Sequence, residues 1–255
     1  MYAGERSAQS FGAIIVVGGG CYGSYYVRQL RRAERAGAAS WRRLIVVDRD
    51  PDCRVAVDGR SDSTDDVEVV PMEWDQFFDR YFTEAAERPE SASDDAIVPS
   101  PLMPHLLYDW LLGRARRRWP GRYVGPGTFT APFPVPWQRD SAAGDTRYVS
   151  FAEWVCPINC IEPARCPVTR GPRTWSLPPA VAEYVEAERA RGRQLAGPHV
   201  FHCSHRCYGV GMIDVRDVLS ADAAIAREGA GQPAEVLVGT VSHCHGALGV
   251  VAIGA

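Results

Sequence analysis

Short runs of consecutive apolar residues alternate along the chain with longer stretches whose apolar residues recur at helical spacing. "AIIVVG" (13–18), "RRLIVVDRD" (42–50), "VEVVPM" (67–72) and "DDAIVPSP" (94–101) are runs of the first kind. Continuous runs rich in β-branched residues suit strands buried on both faces, as in a parallel sheet. Between them, "CYGSYYVRQLRRAERAG" (21–37), "EWDQFFDRYFTEAAE" (73–87) and "HLLYDWLLGRARRRW" (105–119) read as helices, the first with Gly37 as its C-cap. Alternating strands and helices predict parallel βαβ units with right-handed crossovers.

The rhythm breaks at 120–150, a stretch rich in Pro, Gly and aromatic residues. It reads as an irregular surface connection, with room for an edge strand. The alternation then resumes. "PPAVAEYVEAERARGRQL" (178–195) is an amphipathic helix with prolines at its start, "DVRDVLSADAAIAREGA" (214–230) is a further helix, and "EVLVGTV" (235–241) is a strand. Two domains are expected, 12–120 and 121–255, the second holding an irregular cysteine loop at 151–175.

A length of 255 residues is ample for a buried core, and 46% hydrophobic with 23% charged residues is ordinary for a globular chain. The net charge of -3 gives no basic field for nucleic acid or an anionic membrane. The basic cluster "RARRRW" (114–119) reads as a solvated last helical turn complementing the helix dipole. All 28 basic residues are Arg, which excludes a Schiff-base lysine, a P-loop lysine and a lysine general base. No apolar run approaches the ~18 residues of a membrane span, and the polar opening "MYAGERSAQSFG" does not read as a signal peptide. A cytoplasmic, reducing location is therefore expected. There, the eight cysteines are more often ligands or redox groups than disulfides.

The first apolar run ends in a G-x-G-x-x-G spacing at Gly18, Gly20 and Gly23, and a helix follows. In such a turn Gly18 permits the tight bend, Gly20 lets a pyrophosphate approach the backbone, and Gly23 lets the helix pack close to the strand. The helix N-terminus supplies N–H groups and a positive dipole end to the phosphates. Asp48 closes the second run, 25 residues after Gly23, where a carboxylate accepts hydrogen bonds from a ribose diol. Arg49 beside it suits a 2′-phosphate, so NAD and NADP both stay open. The lack of an acid just before the glycines argues against S-adenosylmethionine. On these residues the segment 12–120 resembles the Rossmann superfamily of NAD(P)-binding proteins, and within it the short TrkA-N-like domains. The resemblance implies an α/β fold: a Rossmann-like parallel sheet with helices on both faces, followed by a Cys/His-rich α/β part. It also implies a bound nicotinamide dinucleotide, held by Gly18, Gly20, Gly23 and Asp48. The departure is Cys21-Tyr22 inside the turn, where the tyrosine would crowd a cofactor or stack on it.

The second candidate chemistry is sulfur and imidazole. Cys156, Cys160 and Cys166 fall within eleven residues, with Pro157 and Pro167 directly after the first and third. Proline after a ligand cysteine stiffens the turn, as in ferredoxin-type loops, but neither the ferredoxin spacing nor a zinc C-x2-C knuckle is met. Arg170 and Arg173 follow and suit an anionic substrate or a cofactor phosphate. Five of the six histidines lie at or after residue 199. "HVFHCSHRCYGVGM" (199–212) and "SHCHG" (242–246) each place His and Cys where an apolar strand runs out, the edge of a parallel sheet where function gathers. An extended 202–207 would put Cys203, His205 and Cys207 on one side. The expected arrangement is an iron–sulfur centre on Cys156, Cys160 and Cys166, with a fourth ligand from Cys203, Cys207 or Cys244; a Cys/His zinc site is the alternative. His202, His205, His243 and His245 would flank it as proton carriers. No G-x-S-x-G, HExxH or zinc-deaminase signature is present.

The function expected from the sequence is an NAD(P)-dependent oxidoreductase carrying an iron–sulfur or other metal centre. Its partners would be a small-molecule substrate or a redox partner, without nucleic acid or membrane, in a possible homo-oligomer. The alternative is a non-catalytic regulator that senses NAD(H) or metal.

Overall fold

The computed structural model describes residues 8–62, 66–90, 92–157 and 160–255. Residues 1–7 of the polar opening and 158–159 of the cysteine loop lie outside the described residues. In chain order the elements are β1 (Gln9–Val17), α1 (Cys21–Arg35), β2 (Ala39–Asp48), α2 (Arg54–Asp62), β3 (Val67–Pro71), α3 (Trp74–Glu87), β4 (Ala96–Val98), α4 (Leu106–Arg118) and β5 (Val124–Pro126). They continue with β6 (Trp137–Asp140), β7 (Arg147–Ser150), α5 (Leu177–Ala190), β8 (Leu195–His202), β9 (Ser204–Cys207), β10 (Val210–Asp214), α6 (Val215–Glu228), β11 (Ala234–Val241) and β12 (His245–Ile253). Among the described residues no helix is long and apolar enough to cross a membrane.

The chain divides into two units, Met1–Leu102 with Ser204–Arg216, and Met103–Cys203 with Asp217–Ala255. The division differs from the expected 12–120 and 121–255: α4 goes to the second unit, and 204–216 returns to the first.

The first unit is a six-stranded sheet in the order β3-β2-β1-β4-β10-β9. β3, β2, β1 and β4 run parallel, as their apolar runs predict. Ile14, Ile15, Val16 and Val17 are all buried, and α1 lays Val27, Leu30 and Ala33 on the sheet. Beyond β4 the pattern changes, because β10 and β9 pair antiparallel. They form a hairpin turning at Tyr208 (φ 45) and Gly209 (φ 78), the mirror-image turn that matches strand twist. The wholly parallel sheet expected here is therefore a mixed one.

The second unit is a sheet in the order β6-β7-β12-β11-β8, with β5 on the far end of β12. All its pairs are antiparallel except β8 with β11. Leu177, Val181, Tyr184 and Val185 of α5 pack on Leu237, Leu248 and Val250 of the sheet. The irregular stretch 120–150 supplies β5, β6 and β7, and β6 is the sheet edge. The arginine cluster of α4 is solvated only in part: Arg116 and Arg117 are exposed in its last turn. Arg114 and Arg118 both bind the buried Asp222 of α6, at 2.7 and 2.8 Å, while Arg122 donates to the carbonyls of Gly229, Gln232 and Gly254. A carboxylate buried this deeply needs such donors to offset its desolvation.

Candidate functional site

In the first unit the glycine turn joins β1 to α1. Gly18 has φ +86, a conformation in which a side chain is strained. A Cβ on Gly19 would stand 2.3 Å from the Cys53 sulfur, and one on Gly23 1.8 Å from the Gly18 carbonyl oxygen. Those three glycines are required by the fold itself. Gly20 is different: its φ is -74, and a Cβ there would meet nothing within 4 Å. The Asp48 carboxylate faces the turn, accepting the Gly19 N–H at 2.6 Å and the Asp50 N–H at 2.9 Å. Two of its roughly four lone-pair positions remain for a ligand. A second helix also starts here. The Val55 N–H of α2 donates to the Gly19 carbonyl at 3.0 Å, and the Arg54 guanidinium lies 3.8 Å from the exposed Cys21 sulfur. The turn thus exposes helix-start N–H groups beside an arginine and an acid.

In the second unit the site is the tip of the β11–β12 hairpin, Ser242 to His245. The Ser242 N–H closes the tip on the His245 carbonyl at 2.7 Å. Glu162, from the cysteine loop, inserts its carboxylate here. It accepts the Ser242 hydroxyl at 2.6 Å, the His243 N–H at 2.8 Å and the Cys244 N–H at 3.1 Å. Its backbone is held at φ 50, a left-handed value uncommon for a residue with a side chain.

His243 is fixed from four sides. Its N–H goes to Glu162, its carbonyl accepts the Leu177 N–H at 3.0 Å, its Nδ1 lies 2.9 Å from the Ser176 hydroxyl, and His202 packs edge-on with ring centroids 4.7 Å apart. Ser176 is the N-cap of α5 yet makes no side-chain cap. The next positions explain it: a cap hydroxyl binds the N–H of the second or third helical residue, and here those are Pro178 and Pro179. Without a donor ahead, the hydroxyl turns to the imidazole. His245 is held in parallel fashion, its Nδ1 3.0 Å from the Ser150 hydroxyl. Burial pushes the His245 pKa below its ordinary value, with the Glu162 charge acting against that. Cys244 is buried, and its sulfur accepts the Trp175 indole N–H at 3.2 Å. Its thiol is pushed up to about 12, by burial first and the Glu162 charge in support, against the Trp175 N–H.

The cysteine loop is folded on itself. The Cys166 N–H donates to Gly171, the Arg170 N–H to Cys166, and the Arg173 N–H to Ala164, each near 2.9 Å. N–H groups of Thr169 and Val168, with the Thr169 hydroxyl, reach the Cys166 sulfur and draw its pKa below the ordinary thiol value. Cys156 moves the other way, raised by burial and then by its neighbours Cys160 and Cys166. Arg173 donates to the carbonyls of Pro163 and Trp175 rather than to an open pocket.

The structure therefore gathers His202, His243, Cys244 and His245 at one sheet end, joined to the loop of Cys156, Cys160 and Cys166 through Glu162. The neighbouring strand ends are the reason: His202 stands beside Val241 in the β8–β11 register, and the Cys203 N–H bonds the Val241 carbonyl at 2.8 Å. His205 and Cys207 lie on β9, which belongs to the first unit. Among the described residues, no group of three or more His, Cys, Asp or Glu side chains is placed to hold a metal ion. Glu162, Ser150, Ser176, Ser242 and Trp175 were not foreseen. Only Ser176 carried a sign, a cap-type residue placed before two prolines.

A family profile, AF_1314_C, described as "Uncharacterized protein, C-terminal domain", matches residues 109–254, more than half of the chain. The chain belongs to this family. The AF_1314_C segment takes in the hairpin tip, the cysteine loop and the β9–β10 hairpin. The Rossmann and TrkA-N-like resemblance is corrected by the same finding, since no profile of that kind matches. The glycine spacing is a local feature, and the sheet around it continues with antiparallel β10 and β9. No curated protein and no solved structure matches the chain.

Proposed function

We propose that the chain binds a nicotinamide dinucleotide at the Gly18–Gly23 turn and uses it as the hydride carrier of an oxidoreductase. The observation that carries this reading is Gly20. Gly18, Gly19 and Gly23 each have a reason within the chain, whereas a side chain on Gly20 would enter open space. A glycine at a helix start with nothing near its added Cβ leaves the backbone open to something outside the chain. Its place at the N-cap of α1 suits a diphosphate. Asp48 supports the same ligand, since its carboxylate is fixed at the turn with acceptor capacity left for a ribose diol. Arg54, at the start of α2, adds a positive charge for the phosphates.

The test is a fluorescence titration of the full chain with NADH and NADPH, followed by a screen for substrate-dependent NAD(P)H consumption. Saturable binding of one dinucleotide with turnover supports the oxidoreductase. Binding without turnover on any substrate would leave a sensor, and no binding would remove the reading.

A further inference from the structure

The second unit has a cavity at the end of its sheet away from the hairpin tip. β8 and β11 run parallel, and their last residues, His202 and Val241, stand at the tip. Their first residues, Leu195 to His199 and Ala234 to Glu235, line an open cavity of about 530 Å³. Arg189, in the last turn of α5, and Arg227, in the last turn of α6, line it from the two helices.

Strand β8 is bulged here. Ala196 pairs with Val236 and His199 with Val238, so Gly197 and Pro198 together stand opposite Leu237. Gly197 takes φ +95, and a Cβ on it would come 2.7 Å from the Leu237 carbonyl oxygen. A bulge shifts the alternation of side chains and re-aims the residues after it. Leu195 and Val200 are five positions apart, yet both pack in the core cluster with α5. His199 therefore falls on the other face, where it lines the cavity.

Three arginines line the cavity, and Arg193 is already engaged. It holds Glu235 at 2.8 and 3.0 Å and Glu188 at 3.1 Å, which neutralises the Glu235 carboxylate. Arg189 differs: it donates to the carbonyls of Leu195 and Gly197 at 2.8 and 2.9 Å, and among the described residues no carboxylate pairs with it. Arg227 meets its chain neighbour Glu228 at 3.3 Å on the surface, a pair of little strength. His199 is half-buried, and among the described residues nothing hydrogen-bonds its ring. Burial lowers its pKa, with the Arg227 charge in support and the Glu228 charge against. At pH 7 the ring is therefore neutral and offers one donor and one acceptor. Arginines in a last helical turn complement the helix dipole, but that role alone needs neither a cavity nor an unpartnered imidazole beside it.

We propose that this cavity binds a small organic anion with a phosphate or carboxylate head. The head takes N–H donors from Arg189, Arg227 and His199, groups whose geometry suits an oxyanion. A volume of this size also holds the body of a metabolite-sized molecule. The site goes beyond the dinucleotide reading and does not depend on it. It lies wholly in the second unit, and the glycine turn lies in the first.

The test is calorimetric titration of the full chain with three probes: glycerol phosphate, succinate and inorganic phosphate. Saturable binding of one equivalent of glycerol phosphate or succinate is expected, and the tighter of the two identifies the head. Arg227→Ala should weaken it at least about tenfold. Its urea midpoint should stay close to that of the wild type, because the side chain is 70% exposed. His199→Asn should weaken binding too. Arg35→Ala should not, although Arg35 is also an exposed arginine in a last helical turn, that of α1. Gly20→Val should bind the anion as the wild type does, which separates this site from the glycine turn. In the wild type, the bound anion should shift the imidazole resonances of His199. The proposal is overturned if neither organic probe saturates, or if inorganic phosphate binds as tightly as the better of them. Wild-type binding by Arg227→Ala, or an equal loss in Arg35→Ala or Gly20→Val, would also overturn it.

Discussion

The glycine turn of the first unit and the hairpin tip of the second both sit where a buried strand runs out, and they are built in opposite ways. The Gly18–Gly23 turn is made by leaving side chains out. Its backbone can bend to φ +86, and the helix can stand against it, because no Cβ intervenes. The Ser242–His245 tip is made by filling in. A glutamate, two serines and a tryptophan occupy its donors and acceptors. The first kind of turn presents backbone to a ligand, and the second presents fixed side chains. Loss of function should follow added bulk in the one and removed polar groups in the other.

The largest effect should come from Gly23→Ala. Its methyl would fall on the Gly18 carbonyl oxygen, 1.8 Å away, and backbone cannot swing aside. We expect a loss of about 3 kcal/mol or more, read as a fall in the urea midpoint. A loss under about 1 kcal/mol would mean the helix does not pack on the turn as described. At the tip, the matching change is Glu162→Ala, which takes the acceptor from the His243 N–H and leaves the Cys244 N–H and the Ser242 hydroxyl only their longer bonds, to Ser242 Oγ and to the His245 carbonyl, both at 3.3 Å. The expected cost is about 2 kcal/mol, with faster amide exchange at His243 and Cys244.

Protons sharpen the contrast further. Burial lowers the pKa of His199, with the Arg227 charge adding to it, and burial also lowers that of His245, both below the ordinary 6.5. The unfolded chain then binds more protons than the folded one once the pH drops below about 6.5. Their contribution is present in full above that value and is lost as the pH falls through the folded values. The urea midpoint should decline as the pH falls below about 6.5, and less steeply in His199→Asn. A rise over that window would contradict the assignment.

The smallest effect belongs to Ser176→Ala. At an ordinary N-cap this change costs about 1 kcal/mol through the helix. Here the helix should be untouched, and only the His243 contact is lost. Circular dichroism should stay the same, while the imidazole resonance of His243 shifts.

How far each region was legible in the sequence follows from the same difference. The glycine turn is local: strand, spacing, helix and acid lie within 36 residues, from Ala13 to Asp48, and periodicity finds them. Its family was misread, because the spacing says nothing about what the sheet does beyond β4. There, β9 and β10 arrive from more than 100 residues away. The His/Cys groups of the tip were visible as a cluster, but their partners were not. Glu162 lies 80 residues from Ser242, and nothing near it in the chain marks it as an anchor. His205 and Cys207 share a motif with His202 and Cys203 yet leave for the other unit, because the Tyr208–Gly209 turn folds them onto β10.

The most direct test of the central claim is Gly20→Val, compared with wild type in a calorimetric titration with NADH and NADPH. The Cβ of that valine would meet nothing within 4 Å, so the variant is expected to fold, and its urea midpoint is measured beside the titration. The account predicts saturable dinucleotide binding by the wild type and a loss of at least about tenfold in affinity, roughly 1.4 kcal/mol, in the variant. Equal binding by both, or binding by neither, would contradict a ligand at this turn.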